Sequence, residues 1–565
     1  MESSNQANGA QILAEAIKGY GITHVFYVEA VLRQTLIRLE ELGIKRIVTH
    51  AEKSAVYMAD GMARATGKPA VCMAQSVGAG NMAAGLQEPW LAHSPVVAIT
   101  GQKQVSHRYR NAYQEVYHRP YYEPVTKYNV EVNTLSQLPL LLRQAFREAT
   151  TGCPGPAHID VYGILGDELE RAAGELSMVC EERYAAYPAE RPAPAAADVE
   201  KAVEALEKAE HPVIVAGSGA VISEAGPEIL ALAEKLAMPI AYAVDGNGMV
   251  PPGHPLCLGP VGTYSRWCAN QCVSEADLVL FVGSGTGDQV TNMWSIPRSG
   301  TQVIEVNIEP AQVGVNYPNL CSLIGDAKVA VGLLAQTVKP QRGETDWSRR
   351  AAELVRAWRA EVELLMSSDA RPIRPERLCR EVTKALPENA ILVSCTGNSA
   401  IWSGTMIELA KPGQRYIRAT GGSLGWAFPA SLGVKCGAPE RPVVCFTGDG
   451  GLYYHLSELE TAARWNIPVV VLVNNNGGYG QCLRGIRGAY GQHPGRKEDQ
   501  YLFHKVNLAQ VAREMGCEGE RVEDPARIGP AITEALASGR PSLVEVMTDI
   551  DCLSPVPWQP QWAGG

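Results

Sequence analysis

Short apolar segments alternate with helical ones along most of the chain, and this alternation limits the possible folds more than any other feature. From residue 11 to about residue 165 the order is helix-like QILAEAIKGYG, strand-like THVFYV and RIVTH, helix-like EKSAVYMADGMARATG, then strand-like AVCMAQ and PVVAITG. Helices between short Val- and Ile-rich strands indicate a parallel sheet that is covered on both faces. We therefore predict an α/β fold for the first part of the chain.

Two stretches without periodicity divide the chain into three parts. Residues 184–198 are rich in Pro and Ala, and residues 339–348 are polar, as linkers between domains are. A chain of 565 residues is also too long for a single hydrophobic core. Strands that end in glycine loops, such as PVIVAGSGA, give the middle part a Rossmann-like pattern. We predict three doubly wound parallel-sheet domains and a C-terminal tail, at residues 1–183, 199–338, 349–550 and 551–565.

Composition and charge exclude several classes of function. The formal net charge is −10 and no dense block of Lys and Arg is present, which argues against binding to nucleic acid. The N-terminus is polar, and the longest apolar runs, such as IPVVVLV, are too short to cross a membrane. Fourteen cysteines without a signal peptide indicate reduced thiols. We expect a cytoplasmic protein whose partners are small molecules, neither nucleic acid nor membrane.

The strongest local signal is the stretch GDGGLYYHLSELETAARWNIPVVVLVNNN at residues 448–476. One strand ends in Gly-Asp-Gly and the next ends in Asn-Asn, so neighbouring parallel strands would bring Asp449 and Asn476 to the same crevice. Carboxylate and amide oxygens suit magnesium, while Gly450 and Gly451 leave backbone N–H groups free for a diphosphate. The alternative for either dipeptide alone is an ordinary turn or loop cap. Together they predict a metal-bridged diphosphate site.

This layout resembles the cofactor signature of thiamine-diphosphate enzymes, in which GDG is followed by NN. The resemblance implies that Asp449, Asn476 and the backbone carbonyl of Gly478 hold Mg²⁺. The segment ATGGSLGWAFPASLG at 419–433 resembles the ring-gripping segment of acetohydroxyacid synthases, where the Gly422 carbonyl would accept from the pyrimidine amino group and Leu424 would wedge under the cofactor. The other residues implied in cofactor binding are Gly397, Asn398, Ser399, Gly448, Gly450, Gly451, Tyr479 and Gly480.

Glu52, which follows the strand IVTH and opens a helix, resembles the glutamate of the family's HE...A.GYAR..G pattern. In that family the glutamate meets a nitrogen of the pyrimidine ring and favours the imino tautomer of the ring, so that the cofactor supplies its own base. The alternative is a glutamate that favours the positive end of a helix. Glu52 and Asp449 lie in different domains, and in the family they come from two subunits. The resemblance thus implies a homodimer or homotetramer with active sites at the interface.

The resemblance covers nearly the whole chain, in the order pyrimidine-binding, central and diphosphate-binding domain. It implies a lyase or carboligase that cleaves or forms a carbon–carbon bond next to the carbonyl of a small substrate, with 2-oxo acid decarboxylation and acyloin-type carboligation as the expected reaction. Gln114 lies where relatives place a substrate-side glutamine, and His118 is a candidate proton donor. Glu29, Gln75 and Ser76 are also expected near the reacting carbon; solvated loop residues are the alternative reading.

One loop departs from the family. Acetohydroxyacid synthases have GARFDDRVT, a loop that serves flavin and the acceptor's carboxylate, where this chain has GSGTGDQVT, with Gly285 and Gln289 in place of two arginines. Neither replacement carries the charge of a carboxylate clamp, so acetolactate synthesis is not the expected reaction and FAD binding is left open. Three alternatives also stay open: a cyclic 1,2-dione hydrolase, a thioester lyase with Arg266 and Arg298 in a basic pocket, and a non-catalytic protein. The tail is either a lid or an unstructured end.

Overall fold

The computed structural model describes residues 6–163, 166–340 and 343–564. It contains three six-stranded parallel sheets, one after another along the chain, with helices on both faces. This confirms the predicted fold class of three doubly wound α/β units. Within the described ranges no helix is both long and apolar enough to cross a membrane.

The first sheet has the strand order β3-β2-β4-β5-β7-β6, and a short antiparallel pair, β1 with β8, closes this part of the chain. Its elements are β1 (Gln6–Asn8), α1 (Gly9–Gly19), β2 (His24–Tyr27), α2 (Arg33–Glu41), β3 (Lys45–Val48), α3 (Glu52–Thr66), β4 (Ala70–Gln75), α4 (Ser76–Leu91), β5 (Val96–Gly101), α5 (Arg119–Tyr122), β6 (Tyr128–Val132), α6 (Leu138–Thr150), β7 (Ala157–Val161), α7 (Asp167–Arg171) and β8 (Ala173–Glu175).

The second sheet has the order β11-β10-β9-β12-β13-β14, which is the Rossmann order that the glycine loops predicted. Its elements are α8 (Ala196–Lys208), β9 (Pro212–Ala216), α9 (Ser218–Ile222), α10 (Gly226–Leu236), β10 (Ile240–Tyr242), β11 (Cys257–Pro260), α11 (Trp267–Glu275), β12 (Leu278–Val282), β13 (Gln302–Asn307), β14 (Cys321–Ile324) and α12 (Ala327–Thr337).

The third sheet has the order β16-β15-β17-β18-β20-β19, which repeats the topology of the first although no repeat is visible in the sequence. Its elements are α13 (Asp346–Met366), α14 (Pro375–Ala385), β15 (Ile391–Ser394), α15 (Asn398–Met406), β16 (Arg415–Arg418), α16 (Ala427–Gly437), β17 (Val443–Gly448), α17 (Asp449–Tyr453), α18 (Glu458–Arg464), β18 (Val470–Asn475), α19 (Leu483–Tyr490), α20 (Leu508–Glu514), β19 (Glu518–Val522), α21 (Ile528–Ala537) and β20 (Ser542–Met547).

The first and third units share one hydrophobic core, because α3 packs along α16. Two glycines make this approach possible. A Cβ atom at Gly61 would lie 2.1 Å from the carbonyl oxygen of Ala430, and one at Gly433 would lie 1.8 Å from the carbonyl oxygen of Met58. The two backbones are therefore too close for any side chain at these positions.

The C-terminal tail lies against the second unit. Asn270 and Asn292 each donate a side-chain hydrogen bond to the carbonyl of Trp558, at 3.3 and 3.0 Å. The indole N–H of Trp562 donates to the carbonyl of Ser295 over 3.3 Å. Of the two predictions for the tail, an unstructured end is wrong as far as the structure describes it, because the hydrogen bonds hold it in place.

Candidate active site

The predicted diphosphate site lies at the carboxyl ends of two adjacent strands. β17 and β18 pair in parallel, with Gly448 opposite Asn474. Asp449 begins α17 directly after β17, and Asn476 follows the last residue of β18. The prediction that these strands are neighbours is confirmed, and Asp449 and Asn476 project from the same edge of the sheet, where open α/β sheets bind ligands.

Asp449 is a buried carboxylate that lacks the solvation an anion needs. Burial raises the pKa of Asp449 to about 7, although the nearby backbone N–H groups of Gly450, Gly477 and Gly478 favour its charged form. A divalent cation at this carboxylate would supply the missing stabilisation of its charge. The chemistry of the residues therefore fits the predicted metal. Within residues 6–163, 166–340 and 343–564, no three His, Cys, Asp or Glu side chains form a metal cluster.

Two further loops approach the same edge. A Cβ atom at Gly480 would lie 2.5 Å from Asn476 Nδ2 and 3.0 Å from Asn398 Nδ2, so the segments after β18 and β15 meet there. The buried Oδ1 atom of Asn398 has no hydrogen-bond partner, and the side chain of Ser399 lies beside Gly448. An unsatisfied amide at a convergence of glycine-rich loops is a group that a polar ligand would satisfy.

The predicted ring-gripping loop faces this site. Gly422 has a φ of +81°, a conformation that favours glycine. Leu424 Cδ1 would lie 3.7 Å from a Cβ atom at Gly451, so the proposed wedge is next to the start of α17. The structure therefore brings the loop 420–425 and the GDG turn together, as the resemblance implies.

Glu52 begins α3, as predicted, but its contacts in one chain are with the first unit. Asn81 donates to its carboxylate over 3.2 Å, and a Cβ atom at Gly78 would lie 2.4 Å from Oε1. Among the hydrogen bonds of the described residues, none joins Glu52 to Gly422 or Asp449. The participation of a second subunit stays a prediction.

Three of the predicted substrate-side residues lie together at the carboxyl end of β4. Gln75 donates to the side chain of Gln114 over 3.0 Å, and the Ser76 hydroxyl donates to the Gln114 carbonyl. Both Ser76 and Gln114 have positive φ values, 43° and 59°, a strained backbone that functional sites often contain. Glu29 is not in this cluster; it is exposed and pairs with Arg33 over 2.7 Å, which lowers its pKa.

The structure places His118 inside the first unit. It is fully buried, and its Nδ1 atom lies 3.0 Å from Asp160 Oδ1, which also accepts from the Thr100 hydroxyl over 2.7 Å. A role as proton donor to a substrate stays a prediction, and this position gives it no support. His455 is also buried, and its Nδ1 atom lies 2.9 Å from the Ser54 hydroxyl oxygen.

The loop that departs from the family contacts the third unit. Gln289 accepts from Arg418 over 2.6 Å, and Arg418 also pairs with Asp245 over 2.9 Å. Asp245 in turn accepts from the Thr420 hydroxyl over 2.6 Å, at the start of the ring-gripping loop. Sequence reasoning singled out Gln289 but missed Arg418 and Asp245, because nothing local indicates that these segments meet.

The basic pocket expected for a thioester substrate is not formed. Arg266 is only 1% exposed, lies 4.1 Å from the ring centre of Trp358, and pairs with Glu408 over 3.1 Å. Arg298 lies over the ring of Trp562 in the tail. The prediction that these arginines share a phosphate-binding surface is therefore wrong, since Arg266 is occupied within the core.

A cavity of about 480 Å³ lies where the carboxyl ends of the Rossmann strands face the first unit. Its lining includes Ser218 and Gly219 after β9, Gly283 after β12 and Glu309 after β13. A smaller cavity of about 150 Å³ also includes Ser218, and extends toward the Arg418 and Thr420 side chains. The two cavities share Ser218, Ser284 and Gly285 in their linings.

Comparison with known proteins agrees with this arrangement. Three family models of thiamine pyrophosphate enzymes match in order: the N-terminal TPP binding domain at residues 7–119, the central domain at 199–334 and the C-terminal TPP binding domain at 396–546. The matches fall on the three sheets described above.

Relatives are similar over nearly the whole chain. The probable acetolactate synthase large subunit of Methanocaldococcus jannaschii (strain ATCC 43067 / DSM 2661 / JAL-1 / JCM 10045 / NBRC 100440) is 30% identical, covering 96% of this chain and 92% of that protein. The acetolactate synthase of Arthrospira platensis is 30% identical, with 98% and 96% covered. The acetolactate synthase isozyme 2 large subunit of Escherichia coli (strain K12) is 28% identical, with 96% of each covered. The chain therefore belongs to the thiamine pyrophosphate enzymes, as a thiamine-diphosphate-dependent enzyme similar to acetolactate synthases.

Proposed function

We propose that this enzyme uses thiamine diphosphate and Mg²⁺ to decarboxylate a small 2-oxo acid and to join the remaining fragment to an acceptor carbonyl. The observation that carries the proposal is the buried Asp449 carboxylate, which faces the loop of Asn476 and Gly478 beside the unsatisfied amide of Asn398. When bound, the cofactor supplies an electron sink next to the substrate carbonyl. Among the predicted metal ligands, Asp449 and Asn476 would contribute side-chain oxygens, and Gly478 its carbonyl.

The residues of this chain have separate tasks in that reaction. The first turn of α15, with Asn398 and Ser399, would bind the diphosphate through N–H groups and side chains. Leu424 would support the cofactor by apolar contact, and the Gly422 carbonyl would accept a hydrogen bond from the amino group of its pyrimidine ring. Glu52 would hold a proton at the ring nitrogen. Together these residues would hold the reacting carbon of the cofactor in one position, and the loops would exclude water from it.

We propose that the acceptor is an uncharged carbonyl compound, such as an aldehyde or ketone. Gly285 and Gln289 carry no charge, and the nearby Arg418 is 2% exposed and already paired with Asp245. A carboxylate-bearing acceptor would need a free guanidinium for bidentate binding. This arrangement favours acyloin-type carboligation over acetolactate synthesis.

We propose a homodimer or homotetramer in which Glu52 of one subunit serves the cofactor site of another. Four tyrosines of the segment that follows β5 support a covering partner, because they are 99%, 81%, 57% and 54% exposed in the single chain: Tyr109, Tyr113, Tyr117 and Tyr121. Large exposed aromatic surfaces are typical of protein interfaces. The segment also contains Gln114, so the same contact would bring the substrate-side cluster to the partner's cofactor.

We propose FAD as the ligand of the 480 Å³ cavity. Its position at the carboxyl ends of a sheet with Rossmann order supports a dinucleotide, and its size lies in the usual range for cofactor pockets. The absorption spectrum of the purified protein tests this, because bound flavin absorbs in the visible region. After denaturation and filtration the protein should lose this absorption band, and the band should appear in the filtrate with the released flavin. A colourless protein that takes up no added FAD would refute this part of the proposal.

The central experiment is binding followed by product analysis. Protein stripped of cofactor is titrated with thiamine diphosphate in the presence and absence of Mg²⁺, and retention is measured by calorimetry and by filtration. The loaded enzyme is then supplied with 2-oxo acids and aldehydes, alone and in pairs, and products are identified by mass spectrometry. Metal-dependent retention with an acyloin product is the expected result. A protein that retains neither cofactor nor metal would contradict the proposal.

A further inference from the structure

The loop that would grip the cofactor ring is held from outside its own domain by a buried glutamate. Glu88 lies in α4 of the first unit and is 0% exposed. The backbone N–H of Gly421 donates to Glu88 Oε1 over 2.9 Å, and that of Ser423 donates to Oε2 over 3.1 Å. Both donors flank Gly422, so one carboxylate fixes the residue on either side of the proposed ring contact.

A second side chain of the first unit extends this support. Arg64 donates to the Arg418 carbonyl over 2.7 Å and to the Thr420 hydroxyl oxygen over 3.3 Å, and its Nη2 atom lies 3.3 Å from Glu88 Oε1. Its Nε and Nη2 atoms also bind both oxygens of Asp60, at 2.9 and 2.8 Å. Arg64 therefore joins Asp60 and Glu88 to the strand end from which the loop departs.

The indole of Trp426 completes the connection on the far side of the loop. Its N–H donates to Asp60 Oδ2 over 2.8 Å, and its ring lies 4.7 Å from the Arg64 guanidinium carbon. The loop is thus fixed at its start by Arg64, at its middle by Glu88 and at its end by Asp60. Among the described residues Arg64 is the one cation that pairs with the two buried carboxylates, and neutral N–H groups of the loop and of Trp426 supply the remaining hydrogen bonds.

We propose that Glu88, supported by Arg64 and Asp60, is a positioning residue that presets the loop 420–425 for the aminopyrimidine ring of the cofactor. Glu88 contacts the loop through the backbone N–H groups of Gly421 and Ser423 and therefore acts through the conformation of the loop. Without this support Gly422 could adopt backbone conformations other than its positive φ. Binding of the cofactor ring would then have to order the loop. The inference rests on the proposed function, because it assigns Gly422 to the cofactor ring.

A comparison of two ligands distinguishes binding at the ring site from binding at the diphosphate site. Thiamine diphosphate with Mg²⁺ would contact both, whereas inorganic pyrophosphate with Mg²⁺ would contact only the Asp449 side. In Glu88→Gln, which keeps the size of the side chain but turns one acceptor into a donor facing an N–H group, we expect the Kd for thiamine diphosphate to rise about 10- to 100-fold. The Kd for magnesium pyrophosphate is expected to stay unchanged.

A matched control exists in the same unit. Glu170 is also a buried helix glutamate, and it accepts from the backbone N–H of Thr35 over 2.6 Å and from that of Gln34 over 3.3 Å, but it has no contact with the loop. Glu170→Gln should therefore change neither Kd. If Glu88→Gln fails to fold, Thr420→Val, which removes the hydroxyl bound by Arg64 and Asp245, is expected to raise the thiamine diphosphate Kd selectively.

Equal affinities of wild type and Glu88→Gln for thiamine diphosphate would overturn the inference, and so would a variant that loses both ligands to the same extent. For Thr420→Val the same two results count against it. A wild-type protein that binds magnesium pyrophosphate and thiamine diphosphate with no gain from the ring would also overturn it. Failure of the wild type to bind either ligand is a different result, because it would remove the proposed function itself.

Discussion

Gln289 accepts a hydrogen bond from Arg418 over 2.6 Å, and this contact joins the loop that departs from the family to the strand that leads into the ring-gripping loop. An arginine at position 289 would face the Arg418 guanidinium directly. Asp245 already shares its two oxygens between Arg418 and Thr420, so it cannot also neutralise a second cation next to Arg418. The uncharged residue at 289 is therefore matched to the charge of its neighbour.

We expect Gln289→Arg to destabilise the protein by roughly 1–3 kcal/mol, because the new positive charge would lie next to the buried Arg418 guanidinium. It should not create a site for a carboxylate-bearing acceptor. Thermal unfolding and product analysis measure the two effects. Gln289→Glu is the control, since an added carboxylate next to Arg418 should leave stability unchanged or raise it. A Gln289→Arg variant that unfolds at or above the wild-type temperature and makes acetolactate would show that the charge argument is wrong.

Complementation between inactive variants decides whether two subunits build one site. We expect Glu52→Gln to bind cofactor but lose at least about 100-fold in turnover, and Asp449→Asn to lose metal and cofactor. If the two residues come from different subunits, a coexpressed mixture regains about a quarter of wild-type activity, because half the dimers are mixed and each has one intact site. The purified variants alone are the controls. No recovery in verified mixed dimers would place both residues in the same chain's site.

The close contact of α3 with α16 makes a stability prediction. A methyl group at Gly61 would lie 2.1 Å from a backbone oxygen of Ala430, which cannot move as a flexible side chain could. We expect Gly61→Ala to cost about 3 kcal/mol or more in the free energy of unfolding, measured with denaturant. Gly80 in α4 is the control, because nothing lies within 4 Å of the position that its added methyl group would take; Gly80→Ala should stabilise by up to about 1 kcal/mol. Similar effects of both substitutions would contradict the packing argument.

The features that the sequence predicted are local in the chain. The strand and helix patterns, the GDG turn and the adjacency of β17 with β18 follow from periodicity and from the short connection between neighbouring strands. The contacts of Glu88 with Gly421 and of Gln289 with Arg418 could not be predicted, because they join segments far apart in sequence through the packing of separate domains. Glu88 could have been noticed only as one charge in the apolar stretch AAGLQEPWLA.

The same limit applies to the expected substrate-side residues. Gln75 and Ser76 follow β4 directly, so a position at the edge of the sheet was predictable, whereas their pairing with Gln114 depends on the path of a long loop. His118 lies in that loop too, and its burial against Asp160 depends on the packing of β5 and β7. Sequence patterns place residues near an edge of the sheet, whereas the fold of the long loop decides which of them come into contact.

His455 gives the protein a defined pH dependence. Burial lowers the pKa of His455 to about 4, with a smaller contribution from Lys53. The unfolded chain therefore binds a proton below its ordinary pKa of about 6.5, whereas the folded chain remains neutral until about pH 4. Stability from the neutral imidazole is complete above pH 6.5 and is lost as the pH falls toward 4, by up to about 3 kcal/mol. We expect His455→Asn, which keeps a hydrogen-bonding group opposite Ser54, to reduce the dependence of the unfolding free energy on pH between pH 6.5 and 4. The difference in unfolding free energy between wild type and variant at pH 8 serves as the reference. If this difference stays constant down to pH 4, His455 is not buried in its neutral form.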